Sequence, residues 1–361
     1  MTPPVRDDLV LEGTVRIAID CMGGDHGPSV TLPAARAFLA AHPQAEVILV
    51  GRADALAAAR DWSRCAIVGA SEVVTMQDAI EVALRRKKDS SMRVAISQVK
   101  ADAGGHVAAH ACVSAGNTGA LMALSKLILR MSMPGLDRPA IVASWPTVKG
   151  HTAVLDVGAN VNSDADQLVE FAIMGEAFHR AVHHVEKPTI GLLNVGSEDM
   201  KGREEVRGAA EMLKSGTFDL DYRGFVEGDD IAKGTVDVVV TDGFTGNIAL
   251  KTAEGTARFI SGLMKESLTS SLQSKIGALI ASPALKAMRR RIDPGSVNGG
   301  PLLGLNGLVV KSHGGADARG FGNAIRVALD LAESDYAAKV AANMARLDAA
   351  HAHPAEAEPI S

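Results

Sequence analysis

The stretch VDVVVTDGFTGNIALKTAEG (236–255) decides the fold class of this chain. It starts with the β-branched residues of a buried strand, passes through a small polar loop at 241–247, and continues with a pattern typical of a helix. A loop in this position presents backbone N–H groups and a helix N-terminus to an anion. Stretches at 111–129, 153–173 and 189–206 follow the same order.

Strand and helix patterns alternate along most of the 361 residues. VRIAID (15–20) precedes a helix that starts after Pro28, EVILV (46–50) precedes a helix at 52–60, and GLVVKSHG (307–314) precedes another helix. This alternation predicts a doubly wound, three-layer α/β/α fold with a mainly parallel sheet. Because parallel strands end at the same edge, we expect the polar loops to line one crevice.

Residues 256–292 interrupt the alternation, because their apolar residues recur at helical spacing without a strand signal. Seven basic residues stand here against one acidic residue: Arg258, Lys265, Lys275, Lys286, Arg289, Arg290 and Arg291. We predict an amphipathic helical hairpin, broken near Ser282-Pro283, that projects from a single domain at 14–346. The segments 1–13 and 347–361 are expected to be loose termini.

Composition excludes several classes of function. A net charge of −5 and an aromatic content of 3% argue against nucleic acid as a partner. The pair HVAAH (106–110) lacks the glutamate and third ligand of a zinc site, and Cys21, Cys65 and Cys112 have no metal-binding spacing. The start of the chain lacks a signal-peptide pattern, and no apolar run has the length of a membrane span. We therefore expect a cytoplasmic protein.

The loop after the first strand is the usual place for a phosphate-binding turn in doubly wound folds. It contains Asp20, Gly23, Gly24, Asp25 and His26, within the run DCMGGDHGP. The run is not GxGxxG, so a dinucleotide is disfavoured. The alternative is a tight turn in which an aspartate caps the next helix, and the residues alone leave both open.

A second loop contains Ser114, Gly116, Asn117, Thr118 and Gly119. Its hydroxyl and amide groups suit phosphate oxygens, but a closely packed, capped helix needs much the same residues. The loop therefore indicates either an anion site or a helix start.

Two further loops carry Asn160, Asn194, Gly196 and Lys201. The loop at Asn160 is more typical of helix capping than of ligand binding. A lysine on a glycine-bounded loop suits a phosphate as a point charge. The alternative is a solvated Lys201 that pairs with a neighbouring glutamate.

Together these motifs resemble the PlsX family, the acyl-carrier-protein:phosphate acyltransferases of bacterial phospholipid synthesis. The resemblance covers about residues 15–340. It rests on seven motifs in the order of the family: IDCMGGDHGPS, VSAGNTGAL, DVGANV, LLNVGSEDMKG, GFVEGDD, VVVTDGFTGNIALK and GGPLLGLNGLVVKSHGGADARGFGNAI. The family usually has alanine where Cys21 stands, which argues against a nucleophilic role for that thiol.

The resemblance implies a fold similar to isocitrate and isopropylmalate dehydrogenases and to phosphotransacetylases. It implies a homodimer that transfers a long-chain acyl group from acyl carrier protein to inorganic phosphate, without a metal or organic cofactor. The product would pass to the membrane glycerol-3-phosphate acyltransferase, PlsY. The resemblance also favours contact of the basic hairpin with an anionic membrane surface. Docking of acidic acyl carrier protein, and dimer packing with a solvated positive face, are the alternatives.

For this reaction we expect Lys201 to neutralise phosphate and Asn247 to donate a hydrogen bond to the oxyanion. His26 would assist the leaving thiolate. Asp242 and Asp25 are expected to orient neighbours rather than act as bases, because a second negative charge next to phosphate is unfavourable.

The remaining expected contacts belong to a phosphate cradle. Ser114, Asn117 and Thr118 would contribute to it with their loop amides. Gly243 and Gly246 would let the backbone approach the substrate closely.

Rival functions remain open. A phosphotransacetylase-like enzyme that uses acyl-CoA shares the fold and the phosphate chemistry, although no motif for an adenine pocket is evident. An NAD-linked decarboxylating dehydrogenase needs a metal-binding aspartate cluster, which is not evident either. A membrane-associated scaffold would not need the loop residues at all.

Overall fold

The computed structural model describes residues 14–132, 138–292, 298–334, 336 and 340, without the side chains at 286 and 289–292. The predicted loose termini, the end of the predicted domain and the side chains of Lys286 and of the three arginines at 289–291 lie outside the described residues.

Strands and helices alternate as the sequence predicts. The strands are β1 (Val15–Asp20), β2 (Ala45–Gly51), β3 (Cys65–Gly69), β4 (Ala111–Ser114), β5 (Ala140–Pro146), β6 (His151–Leu155), β7 (Thr189–Leu193), β8 (Asp221–Val226), β9 (Val238–Val240), β10 (Gly300–Leu303) and β11 (Leu308–Lys311). The helices are α1 (Pro28–Ala41), α2 (Ile80–Arg85), α3 (Ser91–Ser97), α4 (Thr118–Leu129), α5 (Ala165–His183), α6 (Glu204–Lys214), α7 (Gly228–Lys233), α8 (Gly243–Thr269), α9 (Leu272–Ile280), α10 (Ser282–Ile292) and α11 (Ala318–Glu333).

One predicted helix is wrong. The segment 52–60 forms only a short 3-10 turn at Ala57–Ala59. Within it Leu56 and Ala59 are buried while most neighbours are exposed. Two buried apolar residues are too few to stabilise the predicted helix of nine residues, because short helices depend on tertiary packing.

All these strands form one sheet, in the order β3-β2-β1-β4-β11-β10-β5-β6-β9-β7-β8. The strands from β3 to β11 run parallel to one another, and so do β6, β9, β7 and β8. Between these two halves, β10 and β5 pair antiparallel with each other and with their outer neighbours. Three antiparallel pairings in succession reverse the direction, so the two parallel halves point in opposite directions.

Helices cover both faces of the sheet. In β1, Ile17 packs with Phe38 of α1 and Phe321 of α11, whereas Ala18 packs in a separate cluster with Leu121 of α4. Because successive side chains of a strand point to opposite faces, α1 and α11 lie on one face and α4 on the other. The predicted α/β/α fold with a mainly parallel sheet is confirmed.

The stretch 256–292 is helical, as predicted, and α9 ends at Ile280 before α10 begins at Ser282, which matches the predicted break near Ser282-Pro283. An earlier break, at Ser270-Ser271, was not predicted. α8 continues from the polar loop to Thr269, and Ser271 then caps α9, its Oγ accepting from the Ser274 N–H at 3.0 Å. Consecutive serines offer this alternative to helical hydrogen bonding, so they break the helix before Pro283 does. In α8 only Gly243 and Gly246 are buried, and α9 buries no residue.

Candidate active site

Three loops meet at the carboxyl ends of the adjacent strands β1, β4 and β11. We call these loops, residues 21–27, 115–117 and 312–317, the first rim. The Asp25 N–H donates to the Gly314 carbonyl at 2.9 Å, and the Ser312 N–H donates to the Ser114 carbonyl at 2.9 Å. The first rim is thus held together by main-chain hydrogen bonds between sequence-distant loops.

A row of polar side chains lies beneath the first rim. The strand register places Asp20, Ser114 and Lys311 side by side at the last positions of β1, β4 and β11. The Ser114 hydroxyl donates to Asp20 Oδ2 at 2.7 Å, and both residues are buried. Burial raises the pKa of the Asp20 carboxyl, against the opposing effect of its hydrogen bonds.

Lys311 supplies the ammonium group of this row. Its Nζ donates to the Ser312 carbonyl and to the Ala115 carbonyl, the latter at 3.5 Å. Burial lowers the pKa of Lys311 to about 8, while the charges of Asp25 and Asp20 oppose the shift. At neutral pH the group is still mostly protonated, so it places a partly desolvated positive charge at the first rim.

Helix α8 brings further positive charge to this place. The charge of Lys251, on its third turn, contributes to the lowered pKa of Lys311. The pKa of His313 is lowered by desolvation first and then by Lys251, with Lys311 and Arg258 adding to the effect. The first rim and the near part of α8 therefore face each other.

Two glycines permit the loops to approach closely. A Cβ atom on Gly23 would lie 2.6 Å from Asp20 Oδ2 and 2.8 Å from the Gly116 nitrogen. Gly24 has a φ of 86°, and its Cβ would lie 2.9 Å from the Gly314 carbonyl oxygen. Their small size is needed for packing between loops, whichever ligand binds there.

The predicted cradle residues on α4 have internal partners. Asn117 caps the helix by accepting from the Ala120 N–H at 3.0 Å, and its side-chain amide donates to the Met76 carbonyl at 2.9 Å. Thr118 is the first residue of α4, and Gly119 lies against Ile80. The side chain of Asn117 therefore acts as a helix cap, in agreement with the second of the two interpretations of this loop.

The exposed His26 lines a small pocket at the first rim together with Gly27, Thr31, Gly314 and Phe321. The predicted site residues Asp20, Gly23, Gly24, Asp25, His26 and Ser114 are therefore gathered in one place.

The other predicted residues lie at the ends of β6, β7 and β9. We call these loops, residues 156–163, 194–203 and 241–242, the second rim. The buried Asp156 carboxylate accepts from the Ile141 N–H at 3.0 Å and from the Asn160 side-chain amide at 2.9 Å. Asn160 also donates to the Pro139 carbonyl at 2.9 Å. This network fixes the loop, which matches the capping alternative better than a substrate contact.

Two glycines in the first turn of α8 are packing residues. A Cβ on Gly243 would lie 2.5 Å from the Asn160 carbonyl oxygen, and one on Gly246 would overlap that of Asp156. Asp242 caps α8 by accepting from the Thr245 N–H at 2.9 Å. Only glycine lets the first turn of α8 lie directly on the 156–163 loop.

Two charged pairs occupy the second rim. Asp242, 3% exposed, forms an ion pair with Arg203 at the start of α6. Lys201, half exposed, contacts Glu198 at 2.7 Å, and this hydrogen bond raises the pKa of the lysine. Asn194 donates to the Lys201 carbonyl at 3.0 Å. Lys201 thus has the glutamate partner that the alternative interpretation anticipated.

Asn247 lies on α8 between the second rim and Lys251. It is exposed on the second turn of α8, and its side chain lies over Gly158. Lys251 follows four residues later, so both side chains lie on the same face of the helix. Asn247 therefore lies between Gly158 of the second rim and Lys251.

The expectation that all the loops line one crevice is wrong within a single chain. β4 and β7 are separated by six strand spacings, about 29 Å along the sheet. They also belong to halves of opposite direction, so the 114–119 turn and Lys201, which both follow the carboxyl ends of their strands, lie at opposite edges of the sheet. The strand reversal at β10 and β5 explains the error.

Lys311 and Lys251 are not among the site residues that the sequence predicts. The run LVVKSHGG has the same strand-then-glycine order as the other motifs, which is a signal that could have identified Lys311. Lys251 gave no such signal, because one lysine on an exposed helix is ordinary.

A doubly wound fold with a partly buried ammonium among glycine-rich loops defines a class of α/β proteins suited to hold an anion. Among solved structures, a phosphotransacetylase from Streptococcus pyogenes has a TM-score of 0.60 at 17% identity, covering 90% of this chain and 95% of that one. The EutD phosphotransacetylase from Staphylococcus aureus has a TM-score of 0.56 at 15% identity, covering 88% and 94%. The chain therefore shares their fold.

Residues 15–339 match the family model described as fatty acid synthesis protein. Relatives named phosphate acyltransferase are 60% identical in Caulobacter vibrioides, covering 92% of both chains, and 55% identical in Phenylobacterium zucineum, covering 92% of this chain and 95% of the relative. A third from Cupriavidus pinatubonensis is 50% identical and covers 96% of both chains. The chain belongs to this family, the phosphate acyltransferases.

Proposed function

We propose that this enzyme transfers the acyl group of an acyl-acyl carrier protein thioester to inorganic phosphate, giving acyl phosphate and free acyl carrier protein. The observation that carries the proposal is membership in the phosphate acyltransferase family over nearly the whole chain. The fold shared with phosphotransacetylases supports the same reaction type.

The reaction needs positioning more than activation. A phosphate oxygen attacks the thioester carbonyl carbon, the C–S bond breaks, and its electron pair leaves on sulfur. A thiol with an ordinary pKa of about 8.5 is a good leaving group, so no covalent enzyme intermediate is required. The thiolate then takes up a proton from water.

The first rim and the facing part of α8 are the proposed reaction site. Partly desolvated positive charge suits phosphate there. Asn247 is the proposed oxyanion donor, because it lies one turn before Lys251 on the same helix face. A fixed donor of this kind contributes roughly 3 kcal/mol to transition-state stabilisation.

The test is phosphate-dependent release of holo-acyl carrier protein from its palmitoyl thioester. We expect release that saturates with phosphate and palmitoyl phosphate as the second product. Faster phosphate-dependent cleavage of palmitoyl-CoA would favour the phosphotransacetylase-like alternative. Release that is independent of phosphate would contradict both.

We further propose that α8, α9 and α10 contact an anionic membrane at its cytoplasmic face and pass acyl phosphate there to the membrane glycerol-3-phosphate acyltransferase. None of the described helices is long and apolar enough to cross a bilayer. Support comes instead from large apolar side chains that are exposed on α8 and α9: Phe259, Ile260, Leu263, Leu272, Ile276, Leu279 and Ile280. Docking of acyl carrier protein on the basic residues of the same segment is the alternative use of this surface.

We also propose a homodimer, as the family resemblance implies. Light scattering of the purified enzyme should give the mass of two chains across a dilution series. A single-chain mass at all concentrations would contradict the dimer.

A further inference from the structure

Lys311 differs from the other lysines near the predicted site residues. Lys201 contacts Glu198 at 2.7 Å, Lys87 pairs with Asp78, and Lys251 contacts Glu254 at 2.9 Å. Lys311 has no carboxylate within ion-pair distance among the residues that the structure describes. Its positive charge is therefore left without a direct counter-charge.

The hydrogen bonds of this ammonium are also incomplete. Nζ has three N–H donors, and two carbonyl groups, those of Ala115 and Ser312, accept from it. One of these contacts is long, at 3.5 Å. A further acceptor would complete the hydrogen bonds of the Lys311 ammonium. An anion would supply both this acceptor and the negative charge that balances the lysine.

The groups facing Lys311 come from every element around it. Asp20 ends β1, Asp25 lies in the first rim, Lys251 comes from α8, and His313 follows β11. The two carboxylates act on Lys311 only through space. Lys251 adds a second positive charge, which disfavours the empty site and favours a doubly charged anion in it.

We infer that Lys311 is the residue that binds the attacking phosphate. This inference rests on the proposed function and identifies the group that holds the nucleophile. The ammonium contacts the non-reacting phosphate oxygens and stays protonated while the C–O bond forms and the C–S bond breaks. It holds the anion against the thioester carbonyl without giving up a proton.

The test compares Lys311→Met and Lys311→Arg with wild type and with Lys187→Met as a control. Lys187 is 65% exposed before the amino end of β7, where its Nζ lies 3.9 Å from Asp219 Oδ1. We expect Lys311→Met to lower kcat/KM for phosphate about 100-fold with a raised KM, Lys311→Arg to recover part of the loss, and Lys187→Met to leave the phosphate KM unchanged.

A pH profile adds a readout that a merely structural lysine would not change. In wild type, kcat/KM for phosphate should fall as the pH rises through about 8, where Lys311 loses its proton. Lys311→Arg should abolish this alkaline decrease, because arginine stays charged. Thermal melting with and without phosphate should show stabilisation of wild type but not of Lys311→Met.

The outcomes are distinguishable. Absence of phosphate-dependent release in wild type contradicts the proposed function itself. An active wild type with an unchanged phosphate KM in Lys311→Met overturns the inference alone, as does an unchanged alkaline decrease in Lys311→Arg.

Discussion

At the residue scale, the burial of single polar groups decides where chemistry is favoured. Lys311 and Asp20 lie at the last positions of β11 and β1, on either side of β4. Desolvation lowers the pKa of Lys311 and raises that of Asp20, so it favours the neutral form of each group. Such groups reduce stability while they make a site ready for a charged ligand.

The buried ammonium of Lys311 predicts a pH-dependent stability. Its folded pKa of about 8 lies below the ordinary value of 10.5, so the unfolded chain binds more protons between these values. The free energy of unfolding should therefore rise as the pH rises through this window. At pH 7 the free energy of unfolding of Lys311→Met should exceed that of wild type by about 2 kcal/mol. This difference should shrink toward pH 10.5.

Urea unfolding of both proteins at pH 7 and pH 10 measures this effect. A variant that is less stable than wild type at pH 7 would show that the lysine side chain contributes more by packing than it costs by desolvation.

Gly246 predicts a second residue-scale effect. Alanine there would bring Cβ into overlap with the Asp156 carbonyl oxygen, so the first turn of α8 must shift. We expect Gly246→Ala to lower the free energy of unfolding by about 1 to 3 kcal/mol. Gly255→Ala on the same helix is the matched control, because nothing lies within 4 Å of its Cβ. That control should stabilise the enzyme by about 0.5 to 1 kcal/mol. Thermal melting measures the change in Tm of each variant. Equal changes in Gly246→Ala and Gly255→Ala would show that the close contact of Gly246 with Asp156 does not matter.

At the element scale, α8 combines two tasks. Its first turn is packed on the second rim, its third turn brings Lys251 to the first rim, and the remainder is exposed. A helix with so few buried residues is held mainly at its start. Its exposed part is therefore available for contact with a surface outside the chain.

The exposed end of this helical segment predicts membrane binding. Leu279 and Ile280 are 75% and 77% exposed, so their replacement should not disturb a core. Leu279→Glu/Ile280→Glu should lose most flotation with anionic vesicles, because it removes inserted apolar area and adds negative charge. The control Ser261→Glu/Gln273→Glu adds the same charge at exposed polar positions and should lose less.

Equal flotation of the two double variants would assign any binding to charge alone. Flotation of neither wild type nor variants would leave acyl carrier protein docking and dimer packing as the possible uses of these helices.

At the scale of the whole molecule, the antiparallel strands β10 and β5 separate two parallel half-sheets. The first and second rims lie at opposite edges of the sheet as a result. Within one chain, the proposed substrate contacts therefore come from the first rim and from α8.

Spin-label distances test this arrangement. Labels at His26 and His313 should lie close together, whereas labels at His26 and Val195 should be about 30 Å or more apart, because seven strand spacings separate β1 from β7. Cys21 and Cys112 are buried, so only Cys65 needs replacement first. Dilution with unlabelled chain removes distances between subunits. A short distance for the second pair would contradict the separation of the rims.

Much of the fold could be predicted from the sequence. The runs VRIAID and LVVK are β-branched and apolar because they are buried on both faces, and this local pattern is visible without coordinates. The resemblance of the glycine-rich motifs likewise identified the family, since each motif is a short contiguous run.

The arrangement of those motifs was decided only by the tertiary structure. The direction of a strand depends on its partners, and nothing local in β5 or β10 shows that they pair antiparallel. For this reason the sequence grouped Lys201 with Ser114, whereas the strand order separates them. By itself the sequence determined the elements, the three-layer class and the family, because these follow from local patterns. The tertiary structure alone decided that Lys311 and Lys251 face the same rim, because register and helix packing bring together residues that are distant along the chain.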